Sequence, residues 1–234
     1  MYVQRAIILS VFLLIQFISS CSGTPSFGIE NEAREKFARL PGTLFINFKT
    51  AKSNWSFSIT HGKFLKTDAF PGLSTRAQAP ALNDFDISNL LSETDMYYRG
   101  PCLVSADKSL AVAGIEYKGA NLSLSSDFII ADVKDNKILF KRKSSSLRII
   151  EDIAWSPDSE YFAVLQKNEK AVFSLEGIVS SMAGHPVRSN TYYLQIYNRQ
   201  GQIYAQSEVA SRLVGSSVKL FWDFGDAPLI IKIP

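Results

Sequence analysis

The residues that could carry chemistry are few. The 234-residue chain has two histidines and two cysteines. His61 stands beside Gly62 in a polar turn pattern and reads as a turn residue, whereas His185 lies in Met182-Ala-Gly-His185-Pro-Val-Arg188, within a long segment between apolar runs. His185 and Arg188 are therefore the candidates for facing a ligand there. Neither histidine has a second histidine or a free cysteine at ligand spacing, so no zinc or copper site and no cofactor is expected. Asn83-Asp84-Phe85-Asp86 opens in the manner of a calcium loop, but the glycine and glutamate that such a loop needs are missing. Nucleophile patterns fail in the same way: there is no Gly-x-Ser-x-Gly elbow, no phosphate-binding loop and no dinucleotide glycine fingerprint. Ser105-Ala-Asp-Lys108 and Ser216-Ser-Val-Lys219 match Ser-x-x-Lys, but the first reads as a turn and the second enters a strand. Neither places the lysine against the serine. Cys102, in the apolar stretch Pro101-Cys102-Leu103-Val104, reads as a buried thiol. No catalytic residue is assigned, and the expected protein is not an enzyme.

Binding is easier to place than catalysis. Tyr97-Tyr98-Arg99, at the end of a long segment poor in strand signals, is the best exposed patch in the sequence. Together with His185 and Arg188 it makes up the candidate binding set. The tyrosines at 192, 193, 197 and 204 lie in strand-like runs and read mainly as packing. A net charge of +3 and no basic run longer than Lys141-Arg142-Lys143 argue against a nucleic-acid partner.

The elements that hold these residues are almost all strands. One short helix is expected in 29–40, where helix formers end at Pro41-Gly42. Three hairpins follow, turning at His61-Gly62, Asp135-Asn136 and Gln200-Gly201 between apolar runs. Glycine and asparagine suit the left-handed backbone of a tight hairpin. A second unit recurs at an offset of 51 residues: Val104-Ser-Ala-Asp107-Lys-Ser-Leu-Ala-Val-Ala113 parallels Trp155-Ser-Pro157-Asp158-Ser-Glu-Tyr-Phe-Ala-Val164. Trp222-Asp-Phe-Gly225-Asp226 is a looser third copy, which makes Trp155 and Trp222 equivalent core residues. The strand units fall near 43–67, 101–143, 148–209 and 217–234, with three, four, four and two strands, thirteen in all. In such a meander the tight turns gather at one end and the long segments 67–100, 118–127 and 168–190 at the other. Long loops on one face of a rigid sheet are a common binding surface, although they can also lengthen where nothing selects against it.

The N-terminus sets location. One arginine precedes an apolar run from Ala6 to Ile18, which as a helix spans about 20 Å and is too short for the ~30 Å core of a bilayer. Small residues Ser19 and Ser20 follow, then Cys21. That order is the order of a secretory signal peptide. Ile18-Ser19-Ser20-Cys21 resembles the bacterial lipobox, and the resemblance implies that Cys21 is lipidated and becomes the mature N-terminus. Residues 1–20 would then be a signal peptide, 21–28 a tether and 29–234 a single β-rich domain. A diacyl plus N-acyl (palmitate-type) anchor buries enough methylenes at ~0.8 kcal/mol each for stable membrane attachment. Ser22 in place of aspartate favours, by analogy, the outer membrane, with the protein facing the periplasm or the exterior. The other reading is an ordinary signal peptide cut nearby, with Cys21 free to pair with Cys102.

The strand pattern carries a second resemblance. Trp155-Ser-Pro-Asp-Ser-Glu-Tyr-Phe-Ala-Val164 is similar to the first turn of a blade in WD-repeat and Tol-type β-propellers, but the Trp-Asp dipeptide closing a WD-repeat strand is absent from the expected positions. The resemblance implies an all-β fold, an antiparallel meander of blade-like repeats forming a partial or small irregular β-propeller. Four blades would need sixteen strands, so an open curved sheet or one unrecognised blade stays possible. Pairing between the 43–67 unit and the 217–234 pair would mark closure. The functional expectation is a lipid-anchored envelope scaffold that binds a protein or envelope component through loops on one face. Two others stand beside it: a hydrolase built around His185, and a degenerate propeller remnant.

Overall fold

The computed structural model of the chain describes residues 26–49, 54–66, 87–92, 94–117, 127–142, 148–171, 188–213 and 217–223. Cys21, His185, Asn83–Asp86 and the signal segment lie outside the described residues. In chain order the elements are β1 (Ser26–Phe27), α1 (Asn31–Phe37), β2 (Thr43–Lys49), β3 (Asn54–Ser58), β4 (Lys63–Lys66), α2 (Ile87–Leu91) and β5 (Met96–Val104). They continue with β6 (Leu110–Tyr117), β7 (Asp127–Asp132), β8 (Lys137–Arg142), β9 (Ile149–Trp155), β10 (Tyr161–Ala171), β11 (Arg188–Asn198), β12 (Ile203–Leu213) and β13 (Ser217–Asp223). The fold is all-β and antiparallel, as expected, with a second short helix in the segment read as a loop.

Three sheets form. Sheet I has the order β13-β2-β3-β4, sheet II the order β5-β6-β7-β8, and sheet III the order β1-β12-β11-β10-β9. β13 is a C-terminal strand in an N-terminal sheet, running from Ser217 opposite Lys49 to Asp223 opposite Thr43. The two ends of the strand region therefore pair, which completes sheet I; a closed ring would also need sheets I and II to pack on each other. Sheets I and II do not meet in a common apolar cluster among the described residues. Instead sheet III lies between them. Ala163, Leu165, Leu194 and Ile196 of sheet III pack on Leu44, Ile46, Val218 and Trp222 of sheet I, while Phe162, Val164 and Tyr197 pack on Val112, Phe128 and Ile130 of sheet II. This explains why β10 reads as an unbroken apolar run, Tyr161 to Leu165: both its faces are covered. The free face of sheet II is covered by α2.

The residue patterns explain the local geometry. In α1, Ala33 and Phe37 are four apart and lie on one face, buried in the sheet I–III cluster. Ser26–Phe27, the last part of the expected tether, adds a short strand to the edge of β12, with the Phe27 ring edge-on to Phe48 at 5.0 Å. All three hairpin turns carry left-handed backbone where expected, with φ of 62° at Gly62, 48° at Asn136 and 77° at Gly201. The 51-residue repeat is a repeated structure. In each copy the serine hydroxyl donates to the aspartate two residues on, Ser105 to Asp107 at 2.5 Å and Ser156 to Asp158 at 2.6 Å. Each serine N–H also donates to the carbonyl five residues on, at 2.8 Å in both. Lys108 and Ser159 hold the same left-handed position, at 59° and 62°.

β13, β9 and β5 are edge strands, and β9 lies against the other two. Side chains satisfy the edges. The Asp152 carboxylate on β9 accepts the Leu220 N–H of β13 at 2.8 Å, and the Trp155 indole N–H donates to the Leu103 carbonyl of β5 at 3.0 Å. Trp222, its counterpart in the repeat, is equally buried and donates to the Pro41 carbonyl at 2.6 Å. Edges filled in this way do not recruit other strands.

Candidate functional site

The exposed tyrosine pair sits in a cleft whose position follows from one helix. Ile87 and Leu91 of α2 are buried against Met96, Ile115 and Ile129 on the free face of sheet II. The helix stops where two hydroxyls take its last carbonyls: Ser92 donates to Asn89 O and Thr94 to Leu91 O, both at 2.8 Å. Thr94 Oγ1 also accepts the Met96 N–H at 3.1 Å, so the chain turns from α2 directly into β5. Between helix and strand lies a cleft of about 370 Å³, lined by Ser88, Leu91, Ser92, Met96, Tyr97 and Tyr98.

Strand alternation divides the two tyrosines. Tyr97 is opposite Glu116 of β6 and its hydroxyl donates to the Glu116 carboxylate, which is buried. Tyr98 points to the other side. Both rings stay open, at 40% and 42% exposure, among the few large apolar groups so exposed in the described residues. Partial burial, and then the nearby Cys102, raise the Tyr98 hydroxyl above its usual range. The pairing of β5 with β6 slips between Tyr98 and Cys102, across Arg99-Gly100-Pro101. Proline has no N–H to give to the ladder, so the slip falls where pairing is weakest. Beside the cleft, Lys141 Nζ lies 4.7 Å from the centre of the Tyr117 ring and 3.6 Å from Asp95 Oδ1. Burial raises the Tyr117 hydroxyl, against a lowering effect of Lys141.

The other sequence candidates separate. Tyr97, Tyr98 and Arg99 open β5 rather than closing a loop, because α2 brings the chain into the strand five residues earlier than the expected start at 101. Arg188 opens β11. His61 is exposed in the β3–β4 turn, its Nδ1 3.0 Å from the Ser58 hydroxyl, in keeping with a turn role. Cys102 is half-buried, and burial pushes its thiol up to about 11, so little thiolate exists at neutral pH. Ser105 donates to Asp107 and to the Leu110 carbonyl, with Lys108 turned through the left-handed position, so the Ser-x-x-Lys match is part of a turn.

Sequence reading missed the groups that tie the opposite end of the molecule together. Arg199, in the β11–β12 turn, lies 3.2 Å from Asp107 and 3.3 Å from Glu160, and donates to the Ser109 hydroxyl at 2.8 Å. The Asp107 N–H donates to Ser159 Oγ at 3.1 Å, joining the two repeated turns. Burial works to raise the Asp107 carboxyl, but hydrogen bonds from Ser105 and Ser109 and the charge of Arg199 outweigh it and hold the carboxyl at about 2. The residues were visible; their meeting was not, since 92 positions separate Asp107 from Arg199 in the sequence. The cleft lining offers hydroxyls, a thioether and aromatic faces. Such a surface can hold a planar or apolar group and orient it with hydroxyl hydrogen bonds.

No family model matches the chain, and no curated protein matches it. Among solved structures, hydrazine synthase from Kuenenia stuttgartiensis aligns at 17% identity over 41% of this chain and 27% of that one, with a TM-score of 0.27. That alignment spans about a quarter of the enzyme and is too loose to carry an argument about fold or activity.

Proposed function

We propose that the chain is a lipid-anchored cell-envelope protein that acts as a non-enzymatic binding scaffold, presenting the α2–β5 cleft and its neighbouring loops to a protein or envelope component. The observation that carries this reading is the contrast between the two ends of the strands. At one end, the repeated turns and Arg199 bond to one another. At the other, where β5 begins, Tyr97 and Tyr98 leave their rings open beside a cleft. Anchorage rests on the lipobox-like Ile18-Ser19-Ser20-Cys21, and a partial propeller of three blade-like sheets would be the scaffold. The resemblance of Ile18-Ser19-Ser20-Cys21 to a lipobox supports a position in the envelope, facing the periplasm or exterior, with the outer membrane favoured by Ser22.

A photo-crosslinking residue at position 97 or 98 tests the binding face in cells. Adducts are expected there and not at Ile203, an exposed apolar residue at the tight-turn end. Equal crosslinking at all three, or interactions unchanged in a Tyr97→Ala, Tyr98→Ala double variant, overturns the face assignment. Anchorage is tested separately: fatty-acid label must appear on the chain, vanish in Cys21→Ala, and processing must stop under globomycin.

A further inference from the structure

The N-terminal side of the domain is fixed to the molecule at one corner. Ser26 pairs with Ser211 and Phe27 with Ala210 on β12. The Phe27 ring packs edge-on to Phe48, the Gly28 N–H donates to the Val209 carbonyl at 3.2 Å, and the Glu30 N–H donates to Ser207 Oγ at 3.0 Å. From this corner the chain runs back along β12, and the Tyr204 hydroxyl donates to the Lys36 carbonyl of α1 at 3.4 Å. Ser211 lies two residues from the end of β12, away from the β11–β12 turn. That turn is joined through Arg199 to the β5–β6 turn. Ser26 therefore leaves the molecule at the opposite end, where β5 begins and the Tyr97 and Tyr98 rings are exposed. β8 finishes at this end with Lys141 and Arg142, and Arg148 leads into β9 there.

This placement limits how a lipid anchor can hold the molecule. Between Cys21 and Ser26 the chain has four residues, Ser22-Gly23-Thr24-Pro25, so its covalent reach is at most about 18 Å at ~3.6 Å per residue. Tyr204 and Ser211 are separated along β12 by about 24 Å at ~3.4 Å per residue. With the tight-turn end on a bilayer, Ser26 would stand farther from the surface than the tether reaches. Two surfaces are left within reach, the flank around α1 and the loop end. Around α1 the exposed charges balance, Glu30, Glu32 and Glu35 against Arg34, Lys36 and Arg39. The loop end instead carries two open tyrosine rings beside Lys141, Arg142 and Arg148, with the exposed Asp95 paired to Lys141. Tyrosine suits the headgroup level, where its ring meets apolar surface and its hydroxyl stays wet, and basic side chains meet lipid phosphates there. We propose that the loop end is a membrane-apposed surface: the anchored protein stands on it, with the α2–β5 cleft opening towards phospholipid headgroups and the tight-turn end turned away. This rests on the acylation of Cys21 proposed above, and it names the bilayer surface as the partner of the same binding face.

The test is energy transfer to lipid in the full, membrane-purified chain, reconstituted on vesicles of phosphatidylcholine and phosphatidylglycerol with an acceptor-labelled lipid in the outer leaflet. A fluorescent amino acid is placed at position 98 or, at the other end, at position 134 in the β7–β8 turn; both side chains are exposed. Transfer at least twofold more efficient from position 98 than from position 134 is expected. A Gly/Ser linker several times the native tether length, inserted between Pro25 and Ser26, is expected to remove most of that difference while the chain still floats with the vesicles. Equal transfer from the two positions, or more from position 134, in a chain that floats overturns the orientation, leaves the anchorage standing and returns the cleft to a protein partner. A difference that the linker does not reduce shows that the short tether does not set the orientation, and overturns the proposal in that way. A chain that carries no fatty-acid label and does not float removes the anchorage and this proposal with it, so the two failures are read apart.

Discussion

Two aspartates show how single side chains act in opposite directions. Asp107 has a carboxyl held at about 2 by the serine hydroxyls and Arg199, against burial. Its folded pKa lies below the unfolded value, so its contribution is complete above pH ~4 and is lost as pH falls through 2. Because the carboxylate side chain is 39% exposed, solvent screening reduces that contribution to about 1 kcal/mol. Asp107→Asn is expected to cost about that much at pH 6 and nothing near pH 1.5, measured by urea unfolding. Asp152 is the reverse case. Burial raises its carboxyl, outweighing the Leu220 N–H and Lys219, so ionisation disfavours the folded state as pH rises past the unfolded pKa. Asp152→Asn can keep an acceptor on the Leu220 N–H and removes the charge, so higher stability than the parent at pH 7 is expected. The gain should vanish at pH 3, and a loss at pH 7 that is absent at pH 3 would show that the charge itself is needed. Neither behaviour was legible in the sequence, where both are acids in strand-and-turn patterns; burial and partners set the sign.

At the scale of elements, the turns were the most legible part. Gly or Asn was expected at the hairpin bends and is found there with positive φ. Gly201 has a second role that the pattern could not show. A Cβ on it would lie 2.7 Å from a ring carbon of Phe140, because this sheet III turn rests on β8 of sheet II. Gly201→Ala should therefore lose about 2 kcal/mol or more of unfolding free energy, combining left-handed strain with the clash. Gly62, with the same backbone sign but open space around it, should lose only the strain of about 1 kcal/mol. The pair measured together separates backbone from packing. α2 was not legible, since five residues are too few to show a helical period and only the sheet II face selects them.

Across the whole molecule the pairing of β13 with β2 ties the C-terminal strand to the N-terminal sheet. Val218, Leu220 and Trp222 of that strand are buried in the cluster that sheets I and III share. Ending the chain at residue 216 should expose the β2 edge and empty that part of the core. The expected outcome is loss of cooperative unfolding and aggregation through the open edge. A truncated chain that stays monomeric and melts in a single transition would show that β13 is an accessory strand. The cleft belongs to this scale as well, because it exists only where α2 covers the outer face of a sheet whose other face is occupied by sheet III.

Sequence alone determined the class and rhythm of the fold. Apolar alternation, hairpin residues and the repeated Ser-x-Asp turn are local: each depends on a few adjacent residues and on backbone sterics. Tertiary structure decided the order of the layers and the company each side chain keeps. Sheet III went to the centre because its strands are apolar on both faces and need two partners. Arg142 and Arg148, plain basic residues in the chain, came to lie on tyrosine rings, and Asp107 met Arg199, through contacts that distant segments make only after the sheets have packed.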